Sequence, residues 1–137
     1  MKPAELAKLI PGYDPWDLAG DCHFDESRAE DSLAFFGECL KFTEGEKAGL
    51  PFKLEPWQAA IVVNLYGWYR PDGTRRYREA FVYVPRKNGK TCLLAALMIH
   101  EMFCNPEPGA QLYSAAAERD QAALLFRHAC EMIRQEE

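Results

Sequence analysis

The run Ala80 to Cys104, AFVYVPRKNGKTCLLAALMIHEMFC, constrains the fold more than any other part of the sequence. Ala80 to Val84 is a short apolar stretch rich in β-branched and aromatic side chains, a glycine-bearing turn follows, and apolar residues then recur at helical spacing as far as Cys104. The pattern reads as strand, loop, helix. At the joint stand Asn88, Gly89, Lys90 and Thr91, the second half of the phosphate-loop pattern G-x-x-x-x-G-K-[ST]. Gly89 lets the backbone curl so that successive N–H groups face a phosphate. Lys90 can reach the outer phosphates, Thr91 can hold Mg²⁺, and the helix N-terminus adds its partial positive charge. The implied ligand is a nucleoside triphosphate. Val84 stands where the first glycine of the pattern belongs, and a bare G-K-T also occurs in ordinary turns. The strand before it and the helix after it are what favour the phosphate loop.

Downstream, Asn105-Pro106-Glu107-Pro108-Gly109 is a hard stop, Ala110 to Ala115 reads as a second strand, and Glu118 to about Gln135 reads as a helix. That helix carries Ala122, Leu125, Phe126, Ala129 and Ile133 on one face. Strand, helix, strand, helix implies parallel pairing and a right-handed crossover. The expected fold class is α/β, a P-loop NTPase-like three-layer fragment with a parallel sheet, incomplete at its C-terminus.

Upstream, residues 1–24 hold Pro3, Pro11, Gly12, Pro15 and Gly20 among scattered aromatics, which reads as an N-terminal arm with one helical turn near Ala4 to Ile10. Residues 25–137 are expected to be the N-terminal portion of the ATP-binding domain. Asp25 suits the N-cap of a helix from Glu26 to about Lys41, with Ala29, Leu33, Phe36 and Leu40 as its core stripe. Glu55-Pro56 opens another helix with proline in its first turn, Trp57, Ile61 and Leu65 repeat every four residues, and Gly67 ends it. Pro71-Asp72-Gly73 suits a tight reversal closing a hairpin before the central strand.

The net charge of −5 argues against a chain that coats nucleic acid non-specifically. Arg70, Arg75, Arg76, Arg78, Arg86 and Lys87 nevertheless cluster around the phosphate loop. They suit nucleotide or DNA phosphates, and equally a solvated hairpin. Five cysteines without a C-x-x-C pair read as reduced thiols, and Cys22-His23 lacks a second pair of metal-ligand spacing. No apolar stretch approaches the roughly 20 residues of a membrane span, and residues 1–20 lack a signal-peptide pattern, so no membrane association and a cytoplasmic location are expected.

Val84-Pro85-Arg86-Lys87-Asn88-Gly89-Lys90-Thr91 resembles the deviant Walker A loop of the large terminase subunit of tailed bacteriophages, the ATPase that drives DNA into a procapsid. Further similarity lies in HFDE at His23 to Glu26, GLPFKLEPWQ at Gly49 to Gln58, Gly67-Trp68, DGTRRYREAFVYVPRKNGKT at Asp72 to Thr91, and YSAAAERDQAALLF at Tyr113 to Phe126. The resemblance covers nearly the whole chain after residue 20.

The resemblance implies ATP and Mg²⁺ as ligands, with Arg86, Lys87, Asn88, Gly89, Lys90 and Thr91 around the phosphates and Thr91 on the metal. Lys90 and Arg86 are the implied catalytic residues, Arg86 facing the γ-phosphate as a cis arginine; a surface arginine on a basic hairpin is the plainer alternative. Gln58 matches the glutamine that such ATPases place against adenine, where a carboxamide can accept from N6 and donate to N7; on sequence alone it is more often a polar surface position. The implied partners are double-stranded DNA, the portal and the small terminase subunit, in the host cytoplasm. The family continues with a Walker B strand, a coupling motif and a nuclease domain. None of these is found after Thr91, so the missing C-terminal part of the ATPase is a further expected partner and the chain alone is expected to be inactive. The alternative reading is a truncated, nucleotide-independent interaction module that binds a partner terminase chain.

Overall fold

The computed structural model describes residues 1–41, 49–85, 90–104 and 108–135. Their elements are, in chain order, α1 (Pro3–Ala7), β1 (His23–Phe24), α2 (Glu26–Cys39), α3 (Pro56–Gly67), β2 (Trp68–Tyr69), α4 (Lys90–Cys104) and α5 (Arg119–Gln135). Contacts divide the chain into two units, Met1–Phe35 with Lys53–Val82, and Phe36–Phe52 with Tyr83–Glu137.

In the first unit, eight of the twelve residues of α3 are buried, so it is the unit's centre and has only a narrow solvent face. The expected stripe of Trp57, Ile61 and Leu65 is half-buried, whereas Ala59, Ala60, Val62, Val63 and Tyr66 are buried. A helix apolar on nearly every side has no single face for a four-residue repeat to mark. Leu6 and Ala7 of α1 join Ala29, Ala59 and Val63 in one core cluster, with Phe24, Leu33 and Leu54 packed against it. The arm is therefore tied into the unit.

Asp25 caps α2 as expected, its carboxylate accepting the Arg28 N–H at 3.1 Å. β1 and β2 pair antiparallel, with His23 opposite Tyr69 and Phe24 opposite Trp68. The Asp25 N–H also donates to the Gly67 carbonyl at 2.7 Å. A side chain at Gly67 would meet Phe24 Cε2 at 2.5 Å and Ala29 Cβ at 3.2 Å, so glycine is needed there for close approach as well as for stopping the helix. The reversal at residues 70–74 forms, with Gly73 at φ +87° and its N–H donating to the Arg70 carbonyl at 2.9 Å. Tyr69 bridges to Arg75 across it.

In the second unit α4 packs against α5. The interior comprises Phe36, Leu40, Phe52, Leu93, Ala95, Ala96, Ile99, Ala129 and Met132. α4 has the bounds its sequence pattern gives. On α5 the expected apolar face is displaced: Ala129 is buried as expected, but Met132 is the second buried residue and Phe126 is exposed.

Helices with a small two-stranded antiparallel sheet are what the described residues contain. The expected strands Ala80 to Val84 and Ala110 to Ala115 carry no ladder, and Phe81, Tyr83 and Tyr113 are 79%, 89% and 82% exposed. A strand forms only where its N–H and C=O groups meet another strand; neither segment has such a partner among the described residues. No helix of the described residues is long and apolar enough to cross a membrane.

Candidate functional site

Lys90 is the first residue of α4 and is exposed, and Thr91 follows it half-buried. An α-helix carries partial positive charge at its N-terminal end, which here is the end that Lys90 opens. No described residue forms an ion pair with the Lys90 ammonium. The helix is anchored by buried Leu93, Ala95, Ala96 and Ile99, so the position of Lys90 follows from apolar packing one turn further on. Arg86, Lys87, Asn88 and Gly89 lie outside the described residues.

Gln58 belongs to the first unit, while Lys90 and Thr91 belong to the second. Gln58 is buried, and its Oε1 accepts the Glu55 backbone N–H at 2.9 Å. Glu55 precedes the helix, Pro56 is its first residue, and Gln58 stands three residues after Glu55, where a glutamine side chain can turn back onto the cap. This hydrogen bond fixes the carboxamide: its oxygen is committed to the backbone, and its NH₂ is the end left to donate. The Glu-Pro-x-Gln spacing was a legible signal for this second role, which a reading of Gln58 as a base-edge contact passes over.

The basic cluster divides by environment. The Arg76 guanidinium lies 4.7 Å from the Trp68 ring centroid and 4.8 Å from that of Tyr77. It donates to the Pro15 carbonyl at 2.7 Å and to the Leu18 carbonyl at 3.1 Å. Arg75 lies 5.2 Å from the centroid of the Tyr66 ring. These two arginines fasten the hairpin to the arm and to α3, and are not a free phosphate track. Beside Arg76, Tyr77 shares a hydrogen bond with Tyr13; burial, then that bond, push the Tyr77 phenol well above its ordinary range. At the hairpin tip the Thr74 hydroxyl and N–H, both on Asp72 Oδ1 at 2.6 and 3.0 Å, hold the Asp72 carboxyl below its usual range. Arg78 remains exposed and Arg70 half-buried. Among the described residues no group of three or more His, Cys, Asp or Glu could hold a metal ion. For Mg²⁺ the fit therefore rests on the Thr91 hydroxyl at the head of α4 together with phosphate oxygens, the hard oxygen donors that this ion takes.

The family model described as terminase large subunit, ATPase domain, matches residues 56–137. The chain is 33% identical over 109 residues to the protein named terminase, large subunit, of Enterobacteria phage HK97, a match covering 78% of this chain and 20% of that protein. The chain thus spans about a fifth of the length of this relative. No solved structure matches.

Proposed function

Because the chain belongs to the family of terminase large subunit ATPase domains, we propose that it is the ATP-binding part of a DNA-packaging motor, with residues 86–91 as its phosphate loop. The observation that carries this is Lys90, an exposed ammonium heading the fifteen-residue helix α4 directly after Gly89. Lys90 binds the outer phosphates, the positive end of the helix adds to that attraction, and Thr91 offers its hydroxyl to the metal. Mg²⁺, when bound, offsets negative charge on the phosphate oxygens. Arg86 supplies a second positive charge at the γ-phosphate. Gln58 donates through its NH₂ to the base, its oxygen being engaged by Glu55.

Titration of the chain with a fluorescent ATP analogue and Mg²⁺ tests this reading. Lys90→Ala is expected to cost about 1.5–3 kcal/mol of binding, the range of a charge-assisted contact, against about 0.5–1.5 for Gln58→Ala. Equal affinity of wild type and Lys90→Ala would remove the phosphate-loop assignment.

Double-stranded DNA, the portal and the small terminase subunit belong to this proposal as partners of the whole motor. With Arg75 and Arg76 committed internally, DNA affinity of this chain is expected to be weak at 0.15 M salt. A second reading, an interaction module independent of nucleotide, is favoured by the exposure of Tyr83, Tyr113 and Phe126. Absence of any Mg-dependent nucleotide binding would favour it.

A further inference from the structure

Tyr13 in the arm and Tyr77 after the hairpin belong to the first unit and meet through their hydroxyls, which share a hydrogen bond. Their ring centroids are 6.5 Å apart and their planes are inclined by 67°. Rings joined end to end through two hydroxyls would hold their centroids further apart, so these two lean toward one another and bring an ortho edge of each phenol toward its partner. Neighbouring residues fix the contact. Arg76 donates to the Pro15 carbonyl at 2.7 Å and to the Leu18 carbonyl at 3.1 Å. The arm is thus held by the residue next to Tyr77, at a point two residues after Tyr13. The same guanidinium lies 4.8 Å from the Tyr77 ring centroid. A fixed cation there disfavours a second positive charge on the ring, so Tyr77 gives up an electron together with its phenolic proton and becomes a neutral phenoxyl. Both rings are half-buried, open to a small oxidant yet held in place by the contacts around them.

We propose that Tyr13 and Tyr77 are an oxidative modification site, a preformed pair of phenols that one-electron oxidants close to a dityrosine bridge. Each phenol loses one electron and its hydroxyl proton. The two phenoxyl radicals join ortho carbon to ortho carbon, and a C–C bond forms. Each of those carbons then releases its hydrogen as a proton while its own oxygen takes one up, which restores both aromatic rings and both hydroxyls. The pair has lost two electrons and two protons. With persulfate as the final acceptor, both electrons enter its O–O bond, which breaks to give two sulfate ions. Coupling between separate molecules waits on an encounter of two radicals. Here the partner ring is already in place, so the step is effectively unimolecular. The bridge closes a covalent loop across the first unit and locks the arm onto the segment that follows the hairpin.

The 137-residue chain at low concentration, illuminated with a ruthenium tris-bipyridyl sensitiser and persulfate, digested and mapped by mass spectrometry, tests this. The monomer fraction is expected to be lighter by two hydrogens, to show dityrosine fluorescence, and to yield one predominant linked peptide pair holding Tyr13 and Tyr77 out of the six tyrosines. Tyr83→Phe, at the most exposed of these rings, should leave the link intact. Tyr13→Phe and Tyr77→Phe, which keep the ring and remove only the hydroxyl, should each abolish it. The same treatment in concentrated urea should abolish the preference for this pair, which separates a folded contact from intrinsic reactivity. The wild-type maps in buffer and in urea decide even if a variant fails to fold. A predominant intramolecular link through Tyr83 or Tyr113, links between chains alone, a Tyr13–Tyr77 link equally abundant in urea, or no link at a dose that couples free tyrosine would overturn the proposal.

Discussion

In the first unit Asn64 donates to the Ala7 carbonyl at 3.1 Å and the Ala60 carbonyl at 2.9 Å, and accepts from the Trp68 indole at 3.1 Å. One buried carboxamide thus ties α1, α3 and β2 together with three bonds. Around it Trp16, Phe24 and Trp68 form an aromatic triangle with centroids 5.1–5.5 Å apart, and Arg76 closes over Trp68. The second unit has an equally apolar interior between α4 and α5, yet it leaves Tyr83, Tyr113, Phe126, Met102 and Phe103 exposed. The first unit satisfies the polar groups at its centre and packs Phe24 and Trp68 within it, while Phe81 near its edge is exposed. The second holds its helices by burial and carries Lys90, the lysine proposed for phosphate contact, at the head of α4. A packed scaffold and a site-bearing element thus follow different rules within one chain.

Truncation of Trp68 should be the largest perturbation. Trp68→Ala removes one corner of the aromatic triangle and the indole that donates to Asn64 Oδ1, at a cost of about 3–5 kcal/mol in chemical denaturation. A cost near 1 kcal/mol would mean that the first unit is no more tightly specified than the second. Met132→Ala, at the fully buried position of α5, is expected to cost about 2–5 kcal/mol. A negligible change there would show that α5 packs on α4 loosely and would widen the contrast between the units.

Much of this architecture was legible because local chemistry fixes it. Asp25 as a cap, Pro56 as the first residue of α3, Gly67 as its stop and the Pro71-Asp72-Gly73 reversal each act over a few residues. The bounds of α4 follow from the switch to helical spacing after Gly89. Less legible was anything that depends on a distant partner. The run at Ala80 to Val84 has strand composition, but a ladder needs a second backbone, and composition cannot supply one. The four-residue repeat on α3 marked its half-buried side, because a helix enclosed by α1, β2 and the arm has few polar positions to contrast with. Lys90 and Thr91 stand at the head of α4 where the sequence pattern put them, and the capping bond of Gln58 was legible in the Glu-Pro-x-Gln spacing but was passed over for a base contact.

A smaller effect is expected at Gly67. Gly67→Ala places a methyl 2.5 Å from Phe24 Cε2 and 3.2 Å from Ala29 Cβ. The Phe24 ring edge must give way, and its contacts with Trp16 and Trp68 resist, so a loss of about 1–3 kcal/mol is expected. Stability equal to wild type would show that the triangle can reorganise and would bring the first unit closer to the second.

The smallest effect separates two faces of one helix. The sequence pattern places Phe126 on the apolar side of α5 together with Ala129, yet Phe126 is 62% exposed while Ala129 and Met132 are buried. Removing a ring that is already mostly in water gives up little transfer free energy and leaves no cavity. Phe126→Ser should therefore change folding stability by no more than about 0.5 kcal/mol. Serine and phenylalanine have similar helix propensities, so the backbone adds no further cost. An exposed ring does promote contacts between molecules, so the same substitution should lower any self-association seen by analytical ultracentrifugation. If Phe126→Ser instead cost as much as Met132→Ala, the ring would be part of the interior in solution. The second unit would then bury this ring as the first buries Trp68, and the contrast between the two units would narrow.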